Sequence, residues 1–115
     1  MSTDHSIPLS TAAGMTSSYR TNKEALLVTA KQGLNILPIC ETFDRAAFDT
    51  LLEPTDCKSI RIYFGMDSDL KIHCVIVGVN ADGEDMLPAD SNDYQIMDGG
   101  MRCPDSCPPT SDLNS

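Results

Sequence analysis

Two cysteines near the end of the chain have the sharpest chemical pattern, because only three residues separate Cys103 from Cys107. Thioredoxin-type redox pairs have two intervening residues and follow a strand that leads into a helix, a context that this segment lacks. Structural zinc needs four ligands, and none of the other cysteines or histidines has the spacing to complete such a set. Three interpretations therefore stay open: idle thiols, a structural disulfide, or a metal site.

His73 and Cys74 are sequence neighbours, which suggests a nucleophile paired with a base. Adjacent residues of a strand point to opposite faces, however, so the imidazole and the thiol of one molecule should not meet. The sequence also lacks a glycine-rich phosphate loop and the common hydrolase and metalloprotease motifs. We therefore expect no catalytic residues and no cofactor, and an enzyme is the less favoured class of protein.

A basic and aromatic surface is the remaining candidate for chemistry. Arg61, Tyr63, Lys71 and His73 alternate along two predicted strands and should share one face of a hairpin near its turn. Such a face could bind a protein partner or a small ligand, and the alternative is an ordinary solvated sheet face. We take these four residues as the candidate binding site.

Acidic residues are unevenly distributed along the chain of 115 residues, whose net charge is −9. Residues 82–115 hold eight acids and one base, Arg102, whereas residues 1–81 hold nine acids and seven bases. Nucleic acid is an unfavourable partner for such a chain, because phosphate binding relies on clustered lysine and arginine. The sequence has no apolar stretch near the ~20 residues that span a membrane. Its polar start and its odd number of cysteines favour a cytoplasmic location.

Two helices must support the candidate surface. The first is predicted over residues 9–31, with a break near Asn22 and a stop at Gly33. The second should begin after an N-cap at Asp44, with Phe43 and Phe48 spaced as a hydrophobic staple across its start, and end before Pro54. The residues of the first helix expected to be buried are Leu9, Ala12, Ala13, Tyr19, Leu26 and Leu27.

The strongest structural signal is a β-hairpin with strands over residues 59–64 and 70–79. Pairing Phe64 with Leu70 would place the isoleucines and Cys74 of both strands on one apolar face. Valines further along the second strand indicate that part of it is covered on both sides. Residues 84–87 and 94–97 are each predicted to add a short strand.

These elements predict one small α+β domain, in which an antiparallel sheet built on the 59–79 hairpin packs with two helices. Residues 1–8 should form a flexible leader and residues 9–97 the domain. Residues 98–115 should form an acidic tail with cysteines and prolines. The tail contains few large apolar residues, so we expect it to have little regular structure and to be dispensable for folding. Its charge would suit a basic partner.

Residues 61–65 read R-I-Y-F-G, and residues 102–108 read R-C-P-D-S-C-P. In these segments the chain resembles a group of small, uncharacterised bacterial proteins that share an R-I-Y-x-G hairpin and a C-terminal R-C-P-x-x-C-P-like tail. The resemblance extends from about Pro8 onward. It implies a discrete folded domain and brings no activity with it.

The sequence therefore favours a non-catalytic interaction module that recognises a protein partner or a small ligand. The alternative is a small redox or metal-binding protein, or an enzyme, that uses Cys103 and Cys107. A homodimer formed through the sheet is a further expectation, because a partner subunit would also cover a second apolar face.

Overall fold

The computed structural model describes residues 5–115, so part of the predicted leader, residues 1–4, lies outside the described range. The fold is α+β, as predicted, with two helices and two small antiparallel sheets of two strands each. Strands β2 and β3 form one sheet, and β1 and β4 form the other. The elements in chain order are α1 (Leu9–Asn22), β1 (Cys40–Thr42), α2 (Arg45–Leu52), β2 (Ser59–Met66), β3 (Ile72–Val79) and β4 (Met101–Cys103).

The second helix, α2, forms where the sequence predicted it. Asp44 stands at the N-cap position, and its backbone carbonyl accepts a hydrogen bond from the Ala47 amide at 3.1 Å. The predicted staple is in place, since the rings of Phe43 and Phe48 meet edge to face with their centroids 6.2 Å apart. Leu51 is the residue of α2 that is buried against the hairpin.

The first helix is shorter than predicted. α1 ends at Asn22, and two short 3₁₀ helices follow over Glu24–Leu26 and Thr29–Lys31. Of the residues expected to be buried, Leu9 and Leu26 are exposed, and Ala12, Ala13, Tyr19 and Leu27 are half-buried. Polar contacts hold α1: the Tyr19 hydroxyl donates to the Pro38 carbonyl at 2.6 Å, and the Arg20 guanidinium donates to the carbonyls of Leu113 and Ser115. As far as the described residues go, no helix is long and apolar enough to cross a membrane.

The hairpin register differs from the prediction by four residues. Phe64 lies opposite Cys74 rather than Leu70. The turn causes the shift, because the Asp67 side chain accepts hydrogen bonds from the amides of Asp69 and Lys71 at 2.9 and 3.0 Å. Leu70 adopts a φ of 67° inside this turn and so leaves the strand.

A slip of four residues, an even number, keeps each strand side chain on its predicted face. Residues 76–79 of β3 are all buried, which confirms that this half of the strand is covered on both sides. Helix α2 covers one side, since a Cβ added at Gly78 would lie 3.3 Å from the Leu51 carbonyl oxygen. The apolar face nearer the turn is open, because Ile62 is 50% and Phe64 77% exposed. The buried apolar residues are Ile36, Leu51, Ile76, Val77, Val79, Met86 and Cys103.

The outer edge of β3, the edge away from β2, is closed by several separate segments. The predicted short strands at 84–87 and 94–97 contribute one bridge each, between Val79 and Asp85 and between Ile76 and Met97. Along this edge the Ile72 amide donates to the Ile36 carbonyl, and the Cys74 amide donates to the Glu41 carboxylate. Further along, Ile76 and Met97 each donate to the other's carbonyl, and the Met86 amide donates to the Gly78 carbonyl. All of these hydrogen bonds are 2.8–2.9 Å long.

The C-terminal segment is more ordered than its composition suggested. Residues 101–103 form β4, which pairs with β1 and places Arg102 opposite Glu41. Arg102 is only 4% exposed, and its guanidinium donates to the carbonyls of Ile72, Asn35 and Ile36 at 2.9–3.1 Å. The expectation of little regular structure after Asp98 is therefore wrong for residues 101–103. The prediction rested on the small number of large apolar residues in this segment, but the segment stabilises the fold through a buried cation and backbone pairing.

Candidate functional site

An apolar groove of about 510 Å³ lies between β3 and the connector that leads into β1. Helix α1 contributes Tyr19 to its wall, and β2 contributes the exposed ring of Phe64. Two of the groove residues, Glu41 and His73, have ionisable side chains. The full lining is Tyr19, Leu37, Pro38, Ile39, Cys40, Glu41, Phe64, Ile72, His73 and Cys74.

Glu41 is the residue of the groove that most needs explanation. Pairing of β1 with β4 holds its backbone, and its side chain is only 3% exposed. Its Oε1 atom accepts a hydrogen bond from the Cys74 amide at 2.8 Å and so closes part of the β3 edge. Its Oε2 atom is buried and accepts no hydrogen bond from any part of the chain that the structure describes. Buried carboxylate oxygens are ordinarily paired, so Oε2 has capacity for a donor.

His73 links Glu41 to the turn of the hairpin. Its Nδ1 atom is 3.6 Å from Glu41 Oε2, and its Nε2 atom is 2.7 Å from Asp67 Oδ2. The hydrogen bond with His73 is the largest of the effects that lower the pKa of Asp67. Asp67 therefore stays ionised and fixes the imidazole at the rim of the groove.

Cys74 and Tyr19 are neutral members of the groove. Burial raises the pKa of the Cys74 thiol, and the adjacent Glu41 raises it further. Burial is also the largest of the effects that raise the pKa of Tyr19. A nucleophilic cysteine requires a lowered pKa, so this environment disfavours nucleophilic chemistry at Cys74. The groove is therefore built to bind, with polar groups that orient a ligand.

The four residues predicted as a binding site do not come together. Arg61 and Tyr63 both contact Asp85, with Arg61 Nη1 2.5 Å from Oδ1 and the Tyr63 hydroxyl donating to Oδ2. The hydrogen bond to Asp85 is the main cause of the raised pKa of Tyr63. Lys71 lies in the turn, and His73 lies opposite Gly65 instead of Arg61. The register shift separates the predicted surface, and only His73 belongs to the groove.

Cys103 and Cys107 are joined by a disulfide. Cys103, the last residue of β4, is buried, and Cys107 is exposed. Across residues 5–115, no three or more His, Cys, Asp or Glu side chains are grouped so as to hold a metal ion. The disulfide lies next to Arg102 in the chain and closes the loop that follows β4, and by itself it assigns no activity.

A second depression, of about 550 Å³, lies beside the turn that follows β3. Its lining includes Asp82, Glu84 and Asp85, with Lys58 on the opposite side. Small-molecule sites are mainly apolar and contain a few polar groups that fix orientation. The groove around Glu41 has that character, so it is the better candidate site.

Sequence reasoning missed Glu41 because its partners are remote. Its neighbour in the sheet, Arg102, is far along the chain, and its hydrogen-bond donor, Cys74, is 33 residues away. The one sequence signal was the position of Glu41 after an apolar connector with a proline. Comparisons of the chain with protein-family models, curated proteins and solved structures gave no match.

Gly100 supports the position of Glu41. A Cβ at this position would lie 2.5 Å from Phe43 Cε1 and 2.6 Å from Glu41 Cγ. We expect Gly100→Ala to lower the free energy of unfolding by about 1–3 kcal/mol, because two packed side chains must move. Gly14→Ala is the control: it lies in α1, where a Cβ meets none of the described atoms within 4 Å. It should raise stability by about 0.5–1 kcal/mol. Urea unfolding measures both, and equal changes would contradict the packing at Gly100.

Proposed function

We propose that the protein is a non-catalytic binding module whose groove holds a small, largely apolar ligand. The observation that carries this proposal is Glu41, a residue of the groove lining whose buried Oε2 atom accepts no hydrogen bond in the described chain and has the His73 ring 3.6 Å away. Apolar walls supply affinity, and a few polar groups set the orientation of the ligand.

The dimensions of the groove support a small molecule. A volume of about 510 Å³ lies within the range of roughly 300–1,000 Å³ that is typical of ligand pockets. Its apolar wall includes Phe64, which is 77% exposed and would be shielded by a ligand. Burial of apolar surface contributes about 25 cal/mol per Å², so the ring alone offers a large part of the affinity of a small ligand.

The electrostatics of the groove support binding rather than catalysis. The Cys74 thiol has a raised pKa, and hydrogen bonding to Asp67 holds the His73 imidazole. Covalent catalysis would require a base within hydrogen-bond reach of an activated nucleophile. In this groove Glu41 lies between the thiol and the imidazole and accepts from the Cys74 backbone.

A neutral apolar dye tests the groove directly. We expect N-phenyl-1-naphthylamine to bind the full chain with one molecule per chain and to increase in fluorescence. Phe64→Ser should weaken this binding about tenfold, which corresponds to about 1.4 kcal/mol. Ile62→Ser is the matched control, since Ile62 lies on the same strand and face, is half exposed, and is not part of the groove lining. Its dissociation constant should stay within about twofold of the unmodified chain.

Two outcomes would overturn the proposal. One is dye binding that does not saturate, which would show that no defined site exists. The other is equal weakening by Phe64→Ser and Ile62→Ser, which would show that the dye binds the open hairpin face as a whole. Circular dichroism of both variants confirms that each is folded, as expected for substitutions of exposed side chains.

A further inference from the structure

We propose that the groove selects ligands in which an ammonium group is attached to an apolar body, and that Glu41 binds the ammonium. This inference rests on the groove being a binding site and adds the chemical class of the ligand. It follows from the charge around Glu41, from the hydrogen bonds already made there, and from the apolar character of the remaining wall.

The charges around the groove do not balance. Glu41, Asp67 and Asp105 are acids, Arg102 is a permanent cation, and His73 is a cation only when protonated. With His73 protonated, three negative and two positive charges leave a net charge of −1 for these residues; with His73 neutral it is −2. A single cation on the ligand would bring this sum to zero when His73 is protonated and to −1 when His73 is neutral.

Arg102 does not supply that cation to Glu41, although the two residues are direct partners across β1 and β4. Its Nε and Nη2 atoms donate to the carbonyls of Ile72, Asn35 and Ile36, whereas its Nη1 atom makes no hydrogen bond within the described residues. Within the described residues its ion pair is with Asp105, at 3.8 Å. Among the basic side chains of the described residues, the His73 ring is the one paired with Glu41 Oε2, at 3.6 Å, and this oxygen accepts no hydrogen bond. A buried carboxylate oxygen without a hydrogen bond is unfavourable, so binding of a cation there gains more than it would at the surface.

The chemistry of the groove favours an ammonium over other cations. A metal ion would need several convergent ligands, and Oε2 is the free carboxylate atom here, since Oε1 already accepts from Cys74. An ammonium has three donors and can bind one carboxylate oxygen while its carbon body contacts Leu37, Ile39 and Phe64. The net charge of −9 would also raise the local concentration of cations and speed their association.

Three probes of matched shape test the inference: 1-naphthylmethylamine, 1-naphthalenemethanol and 1-naphthoate. Calorimetry with the full chain at pH 7 should show that the amine binds at least tenfold more tightly than the alcohol and that the carboxylate binds most weakly. Glu41→Gln keeps an oxygen acceptor for the Cys74 amide and removes the charge. In this variant the dissociation constants of the amine and the alcohol should differ by no more than about twofold, and that of the alcohol should be unchanged.

Asp69→Asn is the matched control, because it removes one negative charge from an exposed residue of the turn outside the groove lining. Its preference for the amine should match that of the unmodified chain. If Glu41→Gln does not fold, the ¹³Cδ resonance of Glu41 replaces it as the readout. This resonance should move when the amine is added and stay in place when the alcohol is added.

The outcomes separate the two proposals. If none of the three probes binds, the groove is not a ligand site, and both the proposed function and this inference fail. If the alcohol or the carboxylate binds as tightly as the amine, the groove is a site but the ammonium assignment is overturned. The same holds if Asp69→Asn removes the preference as fully as Glu41→Gln, because the effect would then come from the overall charge.

Discussion

Replacing Arg102 by alanine should lower the free energy of unfolding by about 3 kcal/mol, because hydrogen bonds from a buried charged donor contribute strongly and their loss leaves buried acceptors unpaired. The substitution would strip donors from the carbonyls of Ile72, Asn35 and Ile36 in a region where the side chain is only 3% exposed. For a chain of this size the midpoint of thermal unfolding should fall by about ten degrees or more. Thermal and urea unfolding measure the change.

Arg45→Ala is the matched control, since Arg45 is exposed on α2 and reaches Asp49 only at 4.0 Å. It should change stability by less than about 0.5 kcal/mol. A chain ending at Gly99 should lose at least as much stability as Arg102→Ala, because it also lacks β4. If that shortened chain unfolds within about 1 kcal/mol of the full chain, residues 100–115 are dispensable and the structural role of Arg102 is wrong.

Replacing Ile76 by alanine should cost about 2–5 kcal/mol, the range for truncating a large buried aliphatic residue. Ile76 is 2% exposed and lies between β2 and the Met97 bridge, where little rearrangement can fill the cavity. Ile62→Ala, directly across the hairpin, should cost less than about 1 kcal/mol because Ile62 is half exposed. Urea unfolding with unchanged m-values gives both numbers.

The comparison between these two residues decides which half of the hairpin contains the core. The apolar alternation alone treats Ile62 and Ile76 alike, since both lie on the same face. Equal costs for the two substitutions would show that the open face is covered in solution. A smaller cost at Ile76 than at Ile62 would show that the core lies at the turn end of the hairpin, contrary to the structure.

The sequence predicted the local elements well because their signals are local. Phe43 and Phe48 fixed the start of α2, and the alternation of residues 59–79 fixed which side chains share a face. The register could not be obtained in the same way, since a slip by any even number of residues, here four, preserves every face. It is decided by the turn, where the Asp67 side chain binds two backbone amides.

The site was beyond sequence reasoning for a related reason. His73 was named, but with partners that the register shift removed. Glu41 acquires its role only when β1 pairs with β4 and both reach the edge of β3. A strand as short as residues 101–103 has too few residues to show a periodic pattern, so Arg102 looked like part of a solvated tail.

The closure of the outer edge of β3 by separate segments sets an order for assembly as the chain is synthesised. Ile36 precedes β3 in the chain, so its carbonyl can accept from the Ile72 amide as soon as β3 emerges, whereas Glu41 is held in place only after β4 has been made. Met97 emerges about 20 residues after β3, roughly one to four seconds later at ordinary rates of translation. Until then the backbone of Ile76 is an open template for pairing with another nascent chain. Misassembly between nascent chains is therefore most favoured when several ribosomes translate one messenger RNA close together. The period of exposure ends when Met97 emerges and pairs with Ile76.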